Sequence, residues 1–506
     1  MNLIQKFEKS DKYTRYSIYL IILFSFIVLS LASVYHVSGD GCWHIQSGKF
    51  IAQNGKFPLS EPLGRDEPFW SPPLYHMIAA VIYYVFNSFN HNAANFAIKL
   101  VSPIFGILTL IFSFLVIKKL TNPKIAFYSA IFLSFVPIFI DYSVLSYVES
   151  TMVFFVILSI YFLINDKIAL SGISLGLSVL AKYNGIFIAP VLLFIVYKKY
   201  GNKNLFLKKS LILILLSLLI ASPWMARNWI LLGNPVWPFV NFIFRGIASN
   251  SYSQANWNNL ARPDLYISTY LGIFGVPDGN INSFSFIKMP FYQFLVPLWV
   301  IGTAVFIAPF LIGIFKSKKN KDEPKNNNLN WILLIWIIPY LILFAVYAAN
   351  VGTLISRIIL PIFPALAIFW AYGFDYLRKK NYGKWISIII VLIILGLVSS
   401  EYFKTNIAAN SWNKYSQDFD WVKSNTSPNS VFLLNGQCIP YNIERTSLYA
   451  NNENLNKTDY LWVNQNFALD RRSMLNNDEL NLVQSQNPTL VYSNKETGTA
   501  VYQIKR

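Results

Sequence analysis

The sequence predicts an α-helical protein that crosses a membrane about eleven times and ends in a small α/β domain. Three observations predict this fold class. Of the 506 residues, 54% are hydrophobic and only 13% are charged, where a soluble domain carries roughly a quarter charged residues. The deficit extends along most of the chain, and the mean hydropathy is +0.41. Eleven apolar stretches come near the roughly 20 residues a spanning helix needs. Lysine and arginine gather in every second loop between them.

The stretches run over about 16–37, 97–117, 125–141, 147–164, 168–183, 184–197, 210–226, 292–315, 330–349, 354–376 and 384–402. Only Lys182-Tyr183-Asn184-Gly185 separates the fifth from the sixth, and treating them as two spans preserves the alternation of loop charge. Residues 73–89 are also apolar but open on Pro72-Pro73, which reads as an interfacial or re-entrant helix. The first span has a basic start, but it runs past 20 residues and ten more follow, so it reads as a signal anchor.

The basic loops begin with Lys6 to Arg15. They continue with Lys118 to Lys124, Lys167 alone, Lys198 to Lys209, Lys316 to Lys325, and Arg378 to Lys384. Together they hold 22 of the 42 basic residues. By the positive-inside rule the N-terminus is cytoplasmic and the C-terminus extracytoplasmic. The same loops account for the net charge of +18, so it does not point to a nucleic-acid partner.

Two outer segments are long, 38–96 and 227–290, and long loops in an economical membrane protein are usually functional. The membrane domain thus covers 1–402, and 403–506 turns polar, rich in Asn, Ser, Asp and Glu. There the pattern predicts a helix near 417–424, a strand at 430–434, and a hairpin of 489–493 and 500–504 around 495–498. Two cysteines, Cys42 and Cys438, make no disulfide framework and match no metal-site spacing. A bridge between them is not expected, since one flanks a membrane helix and the other lies in a distant polar domain.

Ionisable groups near membrane depth are costly and usually functional. Here they crowd the outer ends of spans: Asp40, His44, Asp66, Glu67, His76, Asp141, Glu149, Lys182, Arg227 and Arg357. A carrier would instead distribute them near the midplane. Asp40 either caps a short helix ending at Asn54-Gly55 or acts as a carboxylate base at the membrane surface, and the two roles are compatible. His44 lies four residues on, within hydrogen-bond reach of Asp40, or is an ordinary interfacial histidine. Asp66-Glu67 by themselves read as a solvated acidic turn beside an aromatic belt. Glu149 opens an otherwise uncharged span and wants a cationic partner, Lys182 or Arg357. Lys182, Arg227 and Arg357 are cations where the positive-inside rule disfavours them, and an anionic headgroup or phosphate is the natural reason. Arg227 also fits a snorkelling arginine in an aromatic belt. No P-loop, dinucleotide fingerprint, zinc-protease motif or nucleophile elbow occurs.

The order of these pieces resembles the GT-C glycosyltransferases, above all the protein O-mannosyltransferase, aminoarabinose-transferase and Rgt-like group. Its carriers here are Asp40 after the first span, Pro72-Pro73-Leu74-Tyr75, and the turn Ala181-Lys182-Tyr183-Asn184-Gly185. The run from Pro223 to Phe239 and the stretch Arg357-Ile358-Ile359-Leu360-Pro361 through Pro364 complete it. The resemblance covers roughly 16–400. Asp40 is followed by Gly41 where many relatives carry an Asp-Glu pair, and the Trp-Trp-Asp-Tyr-Gly run of oligosaccharyltransferases is missing.

The resemblance implies a sugar donor on polyprenyl or dolichyl phosphate and an acceptor hydroxyl on a protein, lipid or glycan. It implies single displacement with inversion, in a multi-pass protein of the cell membrane. It makes Asp40 the catalytic base and Lys182, Arg227 and Arg357 the donor-phosphate ligands. His44, Asp66, Glu67, His76 and Glu149 become acceptor or sugar contacts. No cofactor is called for, with a divalent metal left open. A lipid-linked glycan polymerase, ligase or flippase shares the many spans and outer basic sites, and a receptor built on the outer domain is a third reading.

Overall fold

The structure, a computed structural model, describes residues 9–60, 68–247, 256–274, 302, 305–317, 328–351, 356–434, 438–449, 452–464, 481 and 488–504. Six described helices are long and apolar enough to cross a membrane: Lys12–Val34, His91–Leu120, Lys203–Leu232, Leu329–Asn350, Ser356–Arg378 and Gly383–Asn413. The helix pair Pro123–Phe135 and Pro137–Val144 is apolar enough to cross when taken together, but it is bent by 64°. Pro137 explains the bend, since proline supplies no N–H and its ring clashes with the preceding turn.

The expected spans that fall short are helical too. They are Glu149–Ile164, Ile168–Ala181, and Ala189–Tyr200 after a 3-10 turn at Tyr183–Ile188. Of the eighth expected span, 292–301, 303 and 304 lie outside the described residues, and the helix Val305–Lys316 covers 305–315. Of the short helices, Glu149–Ile164 and Ile168–Ala181 are mostly buried. Glu149–Ile164 is buried on nearly every face, so protein neighbours rather than lipid set its length. Lipid-facing helices look different. Leu211, Leu215, Leu218 and Leu219 of Lys203–Leu232 are exposed, as an apolar solvent permits. Where Val305–Lys316 meets Phe363–Arg378, Gly313 and Gly373 each sit where a Cβ would collide with the other helix's backbone. Only glycines allow that approach.

Ion pairs fix which loops share an end of the bundle. Lys118 Nζ lies 3.6 Å from Asp11, and Lys124 pairs with Asp375. Lys199 Nζ lies 2.8 Å from Asp166. That contact joins the end of Ala189–Tyr200 to the start of Ile168–Ala181. The fifth and sixth expected spans therefore form a hairpin, and Lys182 sits at its turn, at the opposite end.

The C-terminal domain builds a mixed five-stranded sheet in the order β2-β1-β3-β5-β4. The strands are β1 (Val431–Leu433), β2 (Thr446–Leu448), β3 (Tyr460–Asn464), β4 (Thr489–Asn494) and β5 (Thr499–Gln503). β1 pairs in parallel with β2 and β3, while β5 runs antiparallel to β3 and β4. The helix Ser416–Asn425 covers the sheet through Phe419, whose ring centroid lies 5.8 Å from that of Trp462. It also offers Asp418, which accepts hydrogen bonds from Tyr492, Asn494, Thr497 and Thr499. The last membrane helix runs unbroken past 402 to Asn413, so the change of composition at 403 falls inside a helix.

Cys42 and Cys438 form a disulfide, against the expectation from sequence. The domain folds back so that its helix Cys438–Ile443 packs on Asp40–Asn54, and a separation of 396 residues says nothing about such a return. His91 Nε2 to Glu444 (3.0 Å) and Lys49 Nζ over the Tyr441 ring (4.9 Å) reinforce the contact. Proteolytic cleavage after the exposed Lys414 should therefore leave two fragments that migrate together on a non-reducing gel and separate on a reducing one. Separation without reductant would refute the bridge.

Candidate active site

The site lies where the first loop meets the bundle, and Gly39 starts it. Its φ of +56° favours glycine, and a Cβ there would strike the Tyr147 hydroxyl. The helix Asp40–Asn54 begins one residue later and ends at Gly55, whose φ of +63° closes it. Gly39 occupies the cap position, so Asp40 does not cap the helix with its side chain. Instead Asp40 Oδ2 lies 2.7 Å from Arg357 Nη2, and the Asp40 amide donates to Tyr147 Oη at 3.1 Å.

Arg357 comes from the 3-10 turn Ser356–Ile362 that enters the most buried span. Its Nε lies 3.4 Å from Glu149 Oε1, and its guanidinium sits 5.2 Å over the Tyr147 ring. Lys182, extended at the hairpin turn, donates to the same Glu149 oxygen at 2.6 Å. Glu149 is thus shared by both cations that the sequence offered as partners. Four residues from four distant segments form one cluster, with two positive and two negative charges. The Glu149 side chain is 1% exposed, Arg357 18%, Lys182 26% and Asp40 31%, so the cluster opens on the Asp40 side. The other oxygen of Glu149 is buried with no hydrogen-bond partner among the described residues.

Behind Asp40 lies an imidazole pair. His44 Nδ1 stands 3.0 Å from His76 Nε2, and His76 Nδ1 stands 3.2 Å from the Pro72 carbonyl. His44 therefore bonds to His76 rather than to Asp40 as the spacing had suggested. Burial pushes the His44 imidazole down to about 3, so it is neutral. With both rings neutral the order of donors is fixed. His76 gives its proton to Pro72, His44 gives its own to His76, and His44 Nε2 keeps a lone pair.

Arg227 is placed differently. It donates to the carbonyls of Phe69 (2.6 Å) and Pro58 (3.1 Å) and stacks 4.7 Å over Trp224. It pins the first loop to Lys203–Leu232, and its described contacts include none of the cluster. It stays near through Asn228, which donates to the Tyr183 hydroxyl beside Lys182 at 2.9 Å. Asp66 and Glu67 lie outside the described residues. Among the described residues no group of three or more His, Cys, Asp or Glu forms a metal site. Two cavities, of about 650 Å³ and 480 Å³, belong to the C-terminal domain and include none of the cluster residues.

Sequence reasoning did not single out Tyr147, whose hydroxyl and ring hold Asp40 and Arg357 in register. Its place two residues before Glu149 was the one available signal. Lys404 was also missed. It bridges Asp141 Oδ1 (2.7 Å) and Glu401 Oε2 (2.5 Å) at the top of the last membrane helix.

The fold is similar to that of solved glycosyltransferases of the GT-C type. Residues 70–226 match the family model of dolichyl-phosphate-mannose-protein mannosyltransferases. ArnT from Cupriavidus metallidurans, solved bound to undecaprenyl phosphate, is similar with a TM-score of 0.62. It has 12% identity, and the match covers 97% of this chain and 98% of that one. The oligosaccharyltransferase AglB from Archaeoglobus fulgidus, solved with an inhibitory peptide and a dolichol-phosphate, gives 0.56 at 13% identity, covering 98% and 75%. Arabinofuranosyltransferase AftD from Mycobacteria gives 0.56 at 9% identity, covering 96% of this chain and 40% of that one. No curated protein matches the chain by sequence. At these identities the likeness is one of fold.

Proposed function

We propose that the protein is a membrane glycosyltransferase that moves a sugar from a polyprenyl- or dolichyl-phosphate donor to an acceptor hydroxyl at the extracytoplasmic face. The observation that carries this is the meeting of Asp40, Glu149, Lys182 and Arg357 at the end of the bundle opposite the basic loops. The positive-inside rule makes that end extracytoplasmic. The Cys42–Cys438 disulfide on the same side supports the assignment, because such bonds persist in oxidising compartments.

The acceptor hydroxyl attacks the anomeric carbon, and its proton passes to the Asp40 carboxylate. The bond from the anomeric carbon to the phosphate oxygen breaks, and polyprenyl phosphate leaves with both electrons. Attack from the face opposite the phosphate inverts the anomeric centre. Charge grows on the departing phosphate, and fixed cations stabilise it as it forms. Lys182 and Arg357 supply that field, while Arg227 holds the loop around it. The His44 lone pair accepts from a sugar or acceptor hydroxyl. The mechanism gives charge stabilisation to these two cations and routes no step through a metal ion.

The test is a reaction of purified protein with polyprenyl-phosphate sugars and candidate acceptors, read by mass spectrometry. A sugar mass increment on the acceptor and free polyprenyl phosphate are expected, at a rate unchanged by EDTA. Lipid movement across liposomes with no covalent product would defeat the reading, and abolition by EDTA would defeat the metal-free mechanism.

A further inference from the structure

Resting on that reading, we infer that the donor phosphate displaces Asp40 from Arg357, so that donor binding itself releases the base and transfer is ordered, donor before acceptor. The cluster is already neutral, with two carboxylates against two cations. An incoming phosphate finds no spare positive charge unless one carboxylate gives way. The two carboxylates are not equivalent. Glu149 is 1% exposed and bonds both Lys182 and Arg357 through one oxygen. It sits behind the cations, sealed in the bundle. Asp40 is 31% exposed and touches Arg357 from the open side at 2.7 Å. A phosphate arriving from that side meets the guanidinium at the position Asp40 Oδ2 holds.

The surroundings suit an exchange of partners without movement of the backbone. Tyr147 holds the Asp40 amide with its hydroxyl and lies under the guanidinium with its ring. Both anchors persist when the carboxylate rotates away. A guanidinium binds phosphate in the same forked geometry as carboxylate, so Arg357 needs no rearrangement to change partners. Before the donor arrives, Asp40 is tied in an ion pair and is a poor proton acceptor. After it arrives, Asp40 is released beside the anomeric carbon. The acceptor hydroxyl is therefore activated only when a sugar is present to receive it.

Binding of undecaprenyl phosphate to the full-length protein in detergent, followed by native mass spectrometry, tests this. Asp40→Asn and Asp40→Ala should each bind at least tenfold more tightly than the wild type, about 1.4 kcal/mol, because the competitor for Arg357 is gone. Arg357→Gln should bind more weakly. Thermal melting of each variant separates altered binding from misfolding. Equal or weaker binding by both well-folded Asp40 variants overturns the exchange and leaves the transferase reading standing. A wild type that does not bind the lipid at all overturns both.

Discussion

Replacing Asp40 with asparagine should lower sugar transfer roughly 10²–10⁴-fold and leave membrane insertion and melting close to the wild type. The substitution keeps shape and removes only the charge and the capacity to take a proton. The fold tolerates it for two reasons. The Asp40 side chain is 31% exposed, so its loss leaves no sealed cavity. Arg357 also keeps Glu149 as a counter-charge at 3.4 Å. A purely structural Asp40 predicts the reverse pattern, a small loss of melting temperature and near-normal turnover. Initial rates with a polyprenyl-phosphate sugar decide the matter, and wild-type rates in the asparagine variant would end the base assignment. Tighter lipid binding together with slower transfer in one variant is a split that general damage cannot produce.

The membrane architecture was legible because it follows from two crude quantities, the length of apolar stretches and the side on which lysines fall. The lysine pattern survives in three dimensions as contacts, Lys118 with Asp11 and Lys199 with Asp166. The expected stretch 147–164 is a helix, Glu149–Ile164, shorter than a bilayer asks, and its burial among other helices accounts for the length. The hairpin of β4 and β5 was readable within a residue at each end from local turn chemistry. The candidate site was legible as a set of misplaced charges, and the pairing of Glu149 with Lys182 and Arg357 was among the options the sequence offered. Which member stood apart was not. Arg227 carries the same charge as Arg357 and also falls at a span end in the sequence, but its guanidinium is occupied by the carbonyls of Phe69 and Pro58, and backbone carbonyls leave no trace in a sequence. The Cys42–Cys438 bridge and the Tyr147 contact likewise depend on how distant segments return, for which no local pattern exists.

Glu149 should prove the most costly residue of the cluster to remove, and for stability rather than for chemistry. Glu149→Leu leaves Lys182 and Arg357 side by side with no shared counter-charge, in a pocket where the carboxylate was 1% exposed. Breaking a buried pair by deleting one partner costs roughly 3–5 kcal/mol, because the surviving charge stays buried and uncompensated. Removing the second charge as well offsets most of that loss. The double variant Glu149→Leu, Lys182→Met leaves Arg357 paired with Asp40 at 2.7 Å and fills the pocket with apolar groups. Its melting temperature should return most of the way to the wild type. Its transfer rate should not recover, since Lys182 is one of the two cations that stabilise the leaving phosphate. Thermal unfolding in detergent and turnover, measured on the same samples, should therefore diverge in the double variant. Wild-type melting by Glu149→Leu would show that the ion pair does not hold the bundle. Recovery of transfer along with stability in the double variant would remove Lys182 from the site.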